Sequence, residues 1–143
     1  MLPCKFAEAL EAVLYVAVHS KYNPVRSRDV CDYQNLSSRH LEPIMQALVR
    51  GGILKGTKGP KGGYTLAREK RKIFLAEIYK IIFDLEFKDK SFKTPLRVEV
   101  IAPFMCSILG DIENDLNKTT IDDLYRKSAA AEKVSRQKSD FAI

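Results

Sequence analysis

Ser37, Ser38, Arg39 and His40, with Glu42 close behind, open a segment whose later residues repeat an apolar side chain at helical spacing. Hydroxyls, a guanidinium, an imidazole and a carboxylate at the start of a helix match the edges of base pairs. Arg39 can bond a guanine or a phosphate, the serines a base edge or a phosphate, and Glu42 can accept from cytosine N4. A helix fits the major groove, and its N-terminal residues are the ones that reach base edges. Alone, this set reads more readily as the solvated face of an ordinary amphipathic helix. The segment Lys58-Gly59-Pro60-Lys61-Gly62-Gly63 tips the balance, with three glycines and a proline that cannot propagate helix or ladder. This is a hairpin tip carrying two lysines. Glycine lets backbone approach a phosphate, and a tip lysine can enter the narrow minor groove. A plain surface turn made soluble by lysine is the competing reading, and its place directly after the reader helix favours a DNA-contacting wing. Arg28, in the preceding helix, is a further candidate contact. Tyr64 could send its hydroxyl to a phosphate, but packing beneath the wing is favoured.

The charge distribution agrees. Residues 1–72 carry a net +7 and residues 73–143 a net −1, within a total of +6. The excess peaks between Arg50 and Lys72, where Arg50, Lys55, Lys58, Lys61, Arg68, Lys70, Arg71 and Lys72 are opposed only by Glu69. That is the footprint of a polyanion binder, although a soluble basic face has the same charge.

Catalysis and metal binding find little support. The two histidines, His19 and His40, have no cysteine or serine partner at suggestive spacing, and no phosphate-binding glycine loop opens a helix. No catalytic residue, metal ligand or cofactor is expected. Cys4, Cys31 and Cys106 are odd in number and widely spaced, which suits reduced, mostly buried thiols better than a disulfide framework or a metal site. No signal peptide or membrane span is evident, so a cytoplasmic, nucleoid-associated protein without a membrane partner is expected.

The elements that would hold these residues are mainly helical. Phe6–Val18 suits a buried helix; Ser27 is placed to cap a short second one, and Ser37 a third. In the third, Leu41, Ile44, Met45, Leu48 and Val49 form one apolar stripe, and Gly51-Gly52 ends it. Pro43 predicts an irregular first turn. Ile53–Thr57 and Tyr64–Leu66 form the hairpin strands. Leu75, Ile78, Ile81 and Ile82 mark a fourth helix, and residues 84–96 read as a loop. A long helix is expected from Val98 to Leu116, its regular part starting near residue 101 because of Pro103. Ile101, Phe104, Met105, Ile108, Ile112 and Leu116 line it, an apolar stripe that a second copy could cover, or that could pack within the chain against the first helix. Thr119-Thr120 can cap a short last helix, Ile121 to Lys127. The expected organisation is a winged helix-turn-helix over 1–83, a linker over 84–97, a dimerisation helix with its short closing helix over 98–127, and a disordered tail over 128–143.

Ser37-Ser38-Arg39-His40-Leu41-Glu42-Pro43-Ile44-Met45-Gln46-Ala47-Leu48, then Gly52-Ile53-Leu54 and Lys58-Gly59-Pro60-Lys61-Gly62-Gly63-Tyr64-Thr65-Leu66-Ala67-Arg68, resembles the Rrf2 family of winged-helix regulators, the family of IscR, NsrR and CymR. The likeness is strongest over residues 26–68 and extends to Thr119–Leu124. It implies a homodimer built on the long helix and a roughly palindromic operator in double-stranded DNA. It places base reading on Ser37, Arg39 and Glu42 and the minor-groove contact on Lys58. Pro43 stands where some members carry a polar side chain, which leaves one of their base contacts without a counterpart. Many members hold an iron–sulfur cluster on three cysteines before the long helix; residues 84–100 here contain none. A cluster-free repressor answering to a small-molecule or protein effector is therefore expected, with a redox role for Cys106 the weaker reading. The alternative is a protein-interaction module that uses the winged scaffold without binding DNA.

Overall fold

A computed structural model describes residues 4–87 and 94–140. Its elements are α1 (Cys4–His19), α2 (Ser27–Gln34), α3 (Ser38–Arg50), β1 (Leu54–Thr57), β2 (Gly63–Leu66), a 3₁₀ turn (Lys70–Lys72), α4 (Leu75–Phe87), a π turn (Arg97–Ile101) leading into α5 (Ala102–Leu116), and α6 (Ile121–Asp140). This is a mainly α fold with one antiparallel hairpin, in which Leu54 faces Leu66 and Thr57 faces Gly63.

The apolar stripe of α3 drives this arrangement. Leu41, Ile44, Met45 and Leu48 are all buried, in one core with Phe6, Val13 and Val16 of α1, Val30 of α2 and Ile78 and Ile82 of α4. Phe6 meets Tyr79 edge-on at 5.3 Å between ring centres, which locks α1 to α4. Both ends of the helix-turn-helix are set by backbone caps. Asn35 is left-handed (φ 54°), and Leu36 N–H donates back to Cys31 O at 3.0 Å. Gly52 (φ 74°) does the same after α3, with Ile53 N–H on Leu48 O at 3.0 Å. These are Schellman closures, and they turn the chain sharply out of each helix.

Several expectations change. The residue capping α2 is Arg26, whose side chain makes no bond to the helix end, and Ser27 is already helical. Pro43 lies inside an uninterrupted α3. Its missing N–H would have served the carbonyl of Arg39, and both residues are exposed, so water can take that carbonyl. Residues 84–87, expected as loop, complete α4, and helix resumes at Pro95; the rest of that expected loop, 88–93, lies outside the described residues. Pro103 acts earlier than expected. It cannot donate to the carbonyl of Glu99, and the chain widens into the π turn just before it. Thr120 does cap α6: its N–H and hydroxyl donate to Asp123 Oδ2 at 2.8 and 3.0 Å, and its Oγ1 accepts from Asp123 N–H at 3.2 Å. The helix beyond this cap runs to Asp140, past the expected end at Lys127 and through most of the expected tail.

The C-terminal helices are not separate from the winged half. Leu75 N–H donates to Thr119 O and Ile121 N–H to Ile73 O, both at 2.9 Å, and Phe74 bridges Thr120. Ile121 is fully buried in the shared core, and α6 lies against α1.

Candidate nucleic-acid interface

The start of α3 is exposed from Ser37 to His40. Ser37 caps the helix, accepting from His40 N–H at 3.2 Å. Ser38 and Arg39 face solvent, and Arg39 has no ion pair among the described residues. Glu42 accepts a long bond from Gln46 at 3.4 Å and otherwise points outward. His40 is different: its Nε2 lies 2.7 Å from Glu8 Oε2 on α1. The ring counted with the reading residues is thus committed to another helix.

The wing is held by more than its own ladder. Val25, just before α2, exchanges two backbone bonds with Tyr64 (2.9 and 2.7 Å), so it adds a third short segment beside the hairpin. Arg26 Nη2 donates to Pro60 O at 2.9 Å and ties the tip to the same segment. Gly62 allows this geometry, since a Cβ there would strike the Thr57 carbonyl oxygen. Between tip and segment lies an open groove of about 680 Å³, lined by Arg26, Ser27, Thr57, Lys58, Pro60 and Tyr64 among others. The Tyr64 ring packs against the core, and burial, then the charge of Glu42, pushes its hydroxyl pKa upward.

Lys55, Lys58 and Lys61 on the hairpin are exposed, as is Arg28 on α2, and none has an ion pair among the described residues. The next stretch is otherwise engaged. Arg68 binds Gly52 O, Lys72 O and Glu77 Oε1 (3.3, 3.3 and 2.8 Å), Arg71 pairs with Glu69 at 2.6 Å, and Lys70 sits 4.2 Å over the Tyr125 ring. Within the basic excess of residues 50–72, Arg68, Lys70 and Arg71 are thus engaged with neighbouring groups, while Lys55, Lys58 and Lys61 on the wing are unpaired among the described residues. Sequence reasoning missed Arg26 and Glu8, because their partners are 34 and 32 residues away.

On the π turn and α5, Ile101, Phe104, Met105 and Ile108 are 40–59% exposed. Leu96, Val98 and Val100, not anticipated, extend that apolar surface toward the N-terminus. Ile112 is half-buried, while Leu116 and Leu109 turn inward against the core. The helix leans on α4.

The sulfur donors are scattered. Cys31 is buried beneath α2, whereas Cys106, expected as a core thiol, is exposed on α5. No group of three or more His, Cys, Asp or Glu able to hold a metal occurs among the described residues, and no described helix is long and apolar enough to cross a membrane.

Known proteins share this layout. IscR of Xenorhabdus nematophila is 38% identical over 77 residues, 54% of this chain and 47% of its own length, so the match spans about half of that relative. IscR of Vibrio campbellii is 26% identical over 149 aligned positions, 99% of this chain and 87% of its own. The solved structure of T. potens IscR superposes with a TM-score of 0.70 at 26% identity, covering 92% of this chain and 90% of that one. CymR, the global cysteine regulator of B. subtilis, shares the fold with a TM-score of 0.67 at 23% identity over 89% of this chain and 97% of its own. The family model described as Rrf2, iron-dependent transcriptional regulator, matches residues 2–127, and with this span of motif, hairpin and helices the chain belongs to the Rrf2 family of transcriptional regulators, which are not enzymes.

Proposed function

We propose that the chain works as a homodimeric repressor on a roughly palindromic operator, each protomer placing α3 in a major groove and the wing beside it. The observation that carries this is the wing: Lys58 and Lys61 stand unpaired on a tip that Val25 and Arg26 tie to the helix-turn-helix. Cations left free on a rigid support suit a polyanion, because phosphate contacts supply most of the affinity and positioned side chains then read bases. Ser37, Ser38, Arg39 and Glu42 are the reading set, with Arg28 a backbone contact. The exposed stripe Ile101, Phe104, Met105 and Ile108, with Ile112 at its margin, is the surface a second copy covers, which pairs two half-sites. Leu116 belongs to the chain's own core.

The iron dependence attached to the family model does not suit these residues. Cys31 is shut in the core, Cys106 is alone on α5, and residues 84–100 contain no cysteine or histidine. A cluster takes about four such ligands, so the reading is a regulator without one, its effector a small molecule or a protein. Selection of genomic fragments by the purified protein tests the function. An enriched inverted repeat, bound by a species of twice the chain mass in light scattering, is expected. Absence of any enriched sequence, together with salt-insensitive association with a protein, would replace it with an interaction module.

A further inference from the structure

Every backbone and side-chain tie of the exposed first turn of α3 can be followed. The apolar stripe begins at Leu41 and fixes the helix from there onward, but Ser37, Ser38, Arg39 and His40 project beyond it. Ser37 closes the main chain locally. Ser38 and Arg39 form no side-chain hydrogen bond or ion pair among the described residues, so His40 supplies the turn's one side-chain link to another helix, Nε2 to Glu8 Oε2 at 2.7 Å. Glu8 does a second thing. Its backbone carbonyl accepts from Gln34 Nε2 at 3.0 Å, and Gln34 is the last residue of α2. One residue of α1 thus grips the chain on both sides of the turn between α2 and α3. The Glu8 side chain is 22% accessible against 40% for His40, so the carboxylate is the more sheltered partner. An imidazole directed at a sheltered carboxylate on α1 is poorly placed to read a base.

We infer that His40 is a positioning residue for DNA recognition: with Glu8 it fixes the angle of the reader turn, and so governs sequence discrimination without supplying a base contact. This rests on the proposal that α3 reads DNA. A good bidentate base contact is worth about 1–3 kcal/mol of discrimination, so a turn that drifts out of register should lose roughly 5- to 150-fold in specific affinity. The wing is held by other ties, Val25 with Tyr64 and Arg26 with Pro60, so the salt-dependent share of its phosphate contacts should remain.

The test uses two duplexes, one enriched from a random library by the wild-type protein and one unselected random-sequence duplex. Fluorescence anisotropy compares wild type with Glu8→Ala, Glu8→Gln, His40→Ala and the Glu8→Ala/His40→Ala double variant, and thermal melting is followed by circular dichroism. Each alanine variant should bind the enriched duplex at least about fivefold more weakly, and the double variant no worse than the weaker single. Affinity for the unselected duplex and the salt slope should stay as in wild type, and Glu8→Gln, which keeps an acceptor oxygen, should recover most of the loss. If His40→Ala weakens the enriched duplex while Glu8→Ala does not, His40 is a direct reader and the inference falls. Equal losses on both duplexes with a lowered melting temperature would also overturn it, as general damage to the fold. A wild-type protein that enriches no duplex would refute the DNA reading itself, and this inference with it.

Discussion

Replacing Lys58 and Lys61 together by alanine should separate the electrostatic part of DNA binding from the rest. Both side chains are exposed and carry no ion pair among the described residues, and the hairpin is held by backbone bonds to Val25 and by Arg26, so the double variant should fold as wild type does. Each phosphate neutralised contributes about 0.9 to the slope of log affinity against log salt. If both lysines reach phosphates in both protomers of a dimer, four contacts vanish and the slope falls by about 3.6; if one per protomer does, by about 1.8. Between 50 and 200 mM salt the wild type should therefore lose roughly 12- to 150-fold more affinity than the variant. Anisotropy titrations on one enriched duplex at four salt concentrations, with circular dichroism to confirm the fold, give both slopes. Parallel lines for the two proteins would refute the wing as a phosphate-binding device.

Three further outcomes concern other parts of the molecule. Phe104→Glu puts a charge in the middle of the exposed α5 stripe and should convert the proposed dimer to a monomer in sedimentation equilibrium, leaving the helical circular dichroism unchanged; a persistent dimer would move the interface elsewhere. Anaerobically purified protein should be colourless, and cluster-type visible absorption would overturn the cluster-free reading. The Asp123 carboxyl is held below its ordinary pKa of 3.8, first by the Thr120 N–H and then by the Thr120 hydroxyl. A depressed folded value means that stability is full above 3.8 and falls as pH drops through the lower one. Asp123→Asn should therefore flatten the loss of thermal stability below pH 4, and an unchanged acid limb would show that the α6 cap contributes nothing there.

The sequence showed most where one local rule sufficed. The period of Leu41, Ile44, Met45 and Leu48 appears in the structure as read, and so does the hairpin tip except for Gly63, which opens β2. It misled where a local rule has an exception. Pro43 breaks helices in general, but here the orphaned carbonyl is at the surface, and Ser27 is a good cap by type yet falls inside the helix. It was silent where the partner is distant in the chain: Glu8 with His40, Arg26 with Pro60 and Val25 with Tyr64 come together only through the tertiary fold. Cys106 shows the limit of composition, since thiols are most often buried and this one is exposed. The length of α6 was underestimated because its later residues are small and charged, with no apolar period to mark them.

The backbone bonds that join Ile73–Leu75 to Thr119–Ile121 have a further consequence. They cinch the chain at two points, so the stretch between them is a closed excursion that starts with α4 in the core and returns to the same place through α5. Cutting the chain after residue 83 would not release an independent winged half, because the fully buried Ile121 would be lost from its centre. Lengthening the excursion is far cheaper, since doubling a loop costs only about 0.6 kcal/mol in closure entropy.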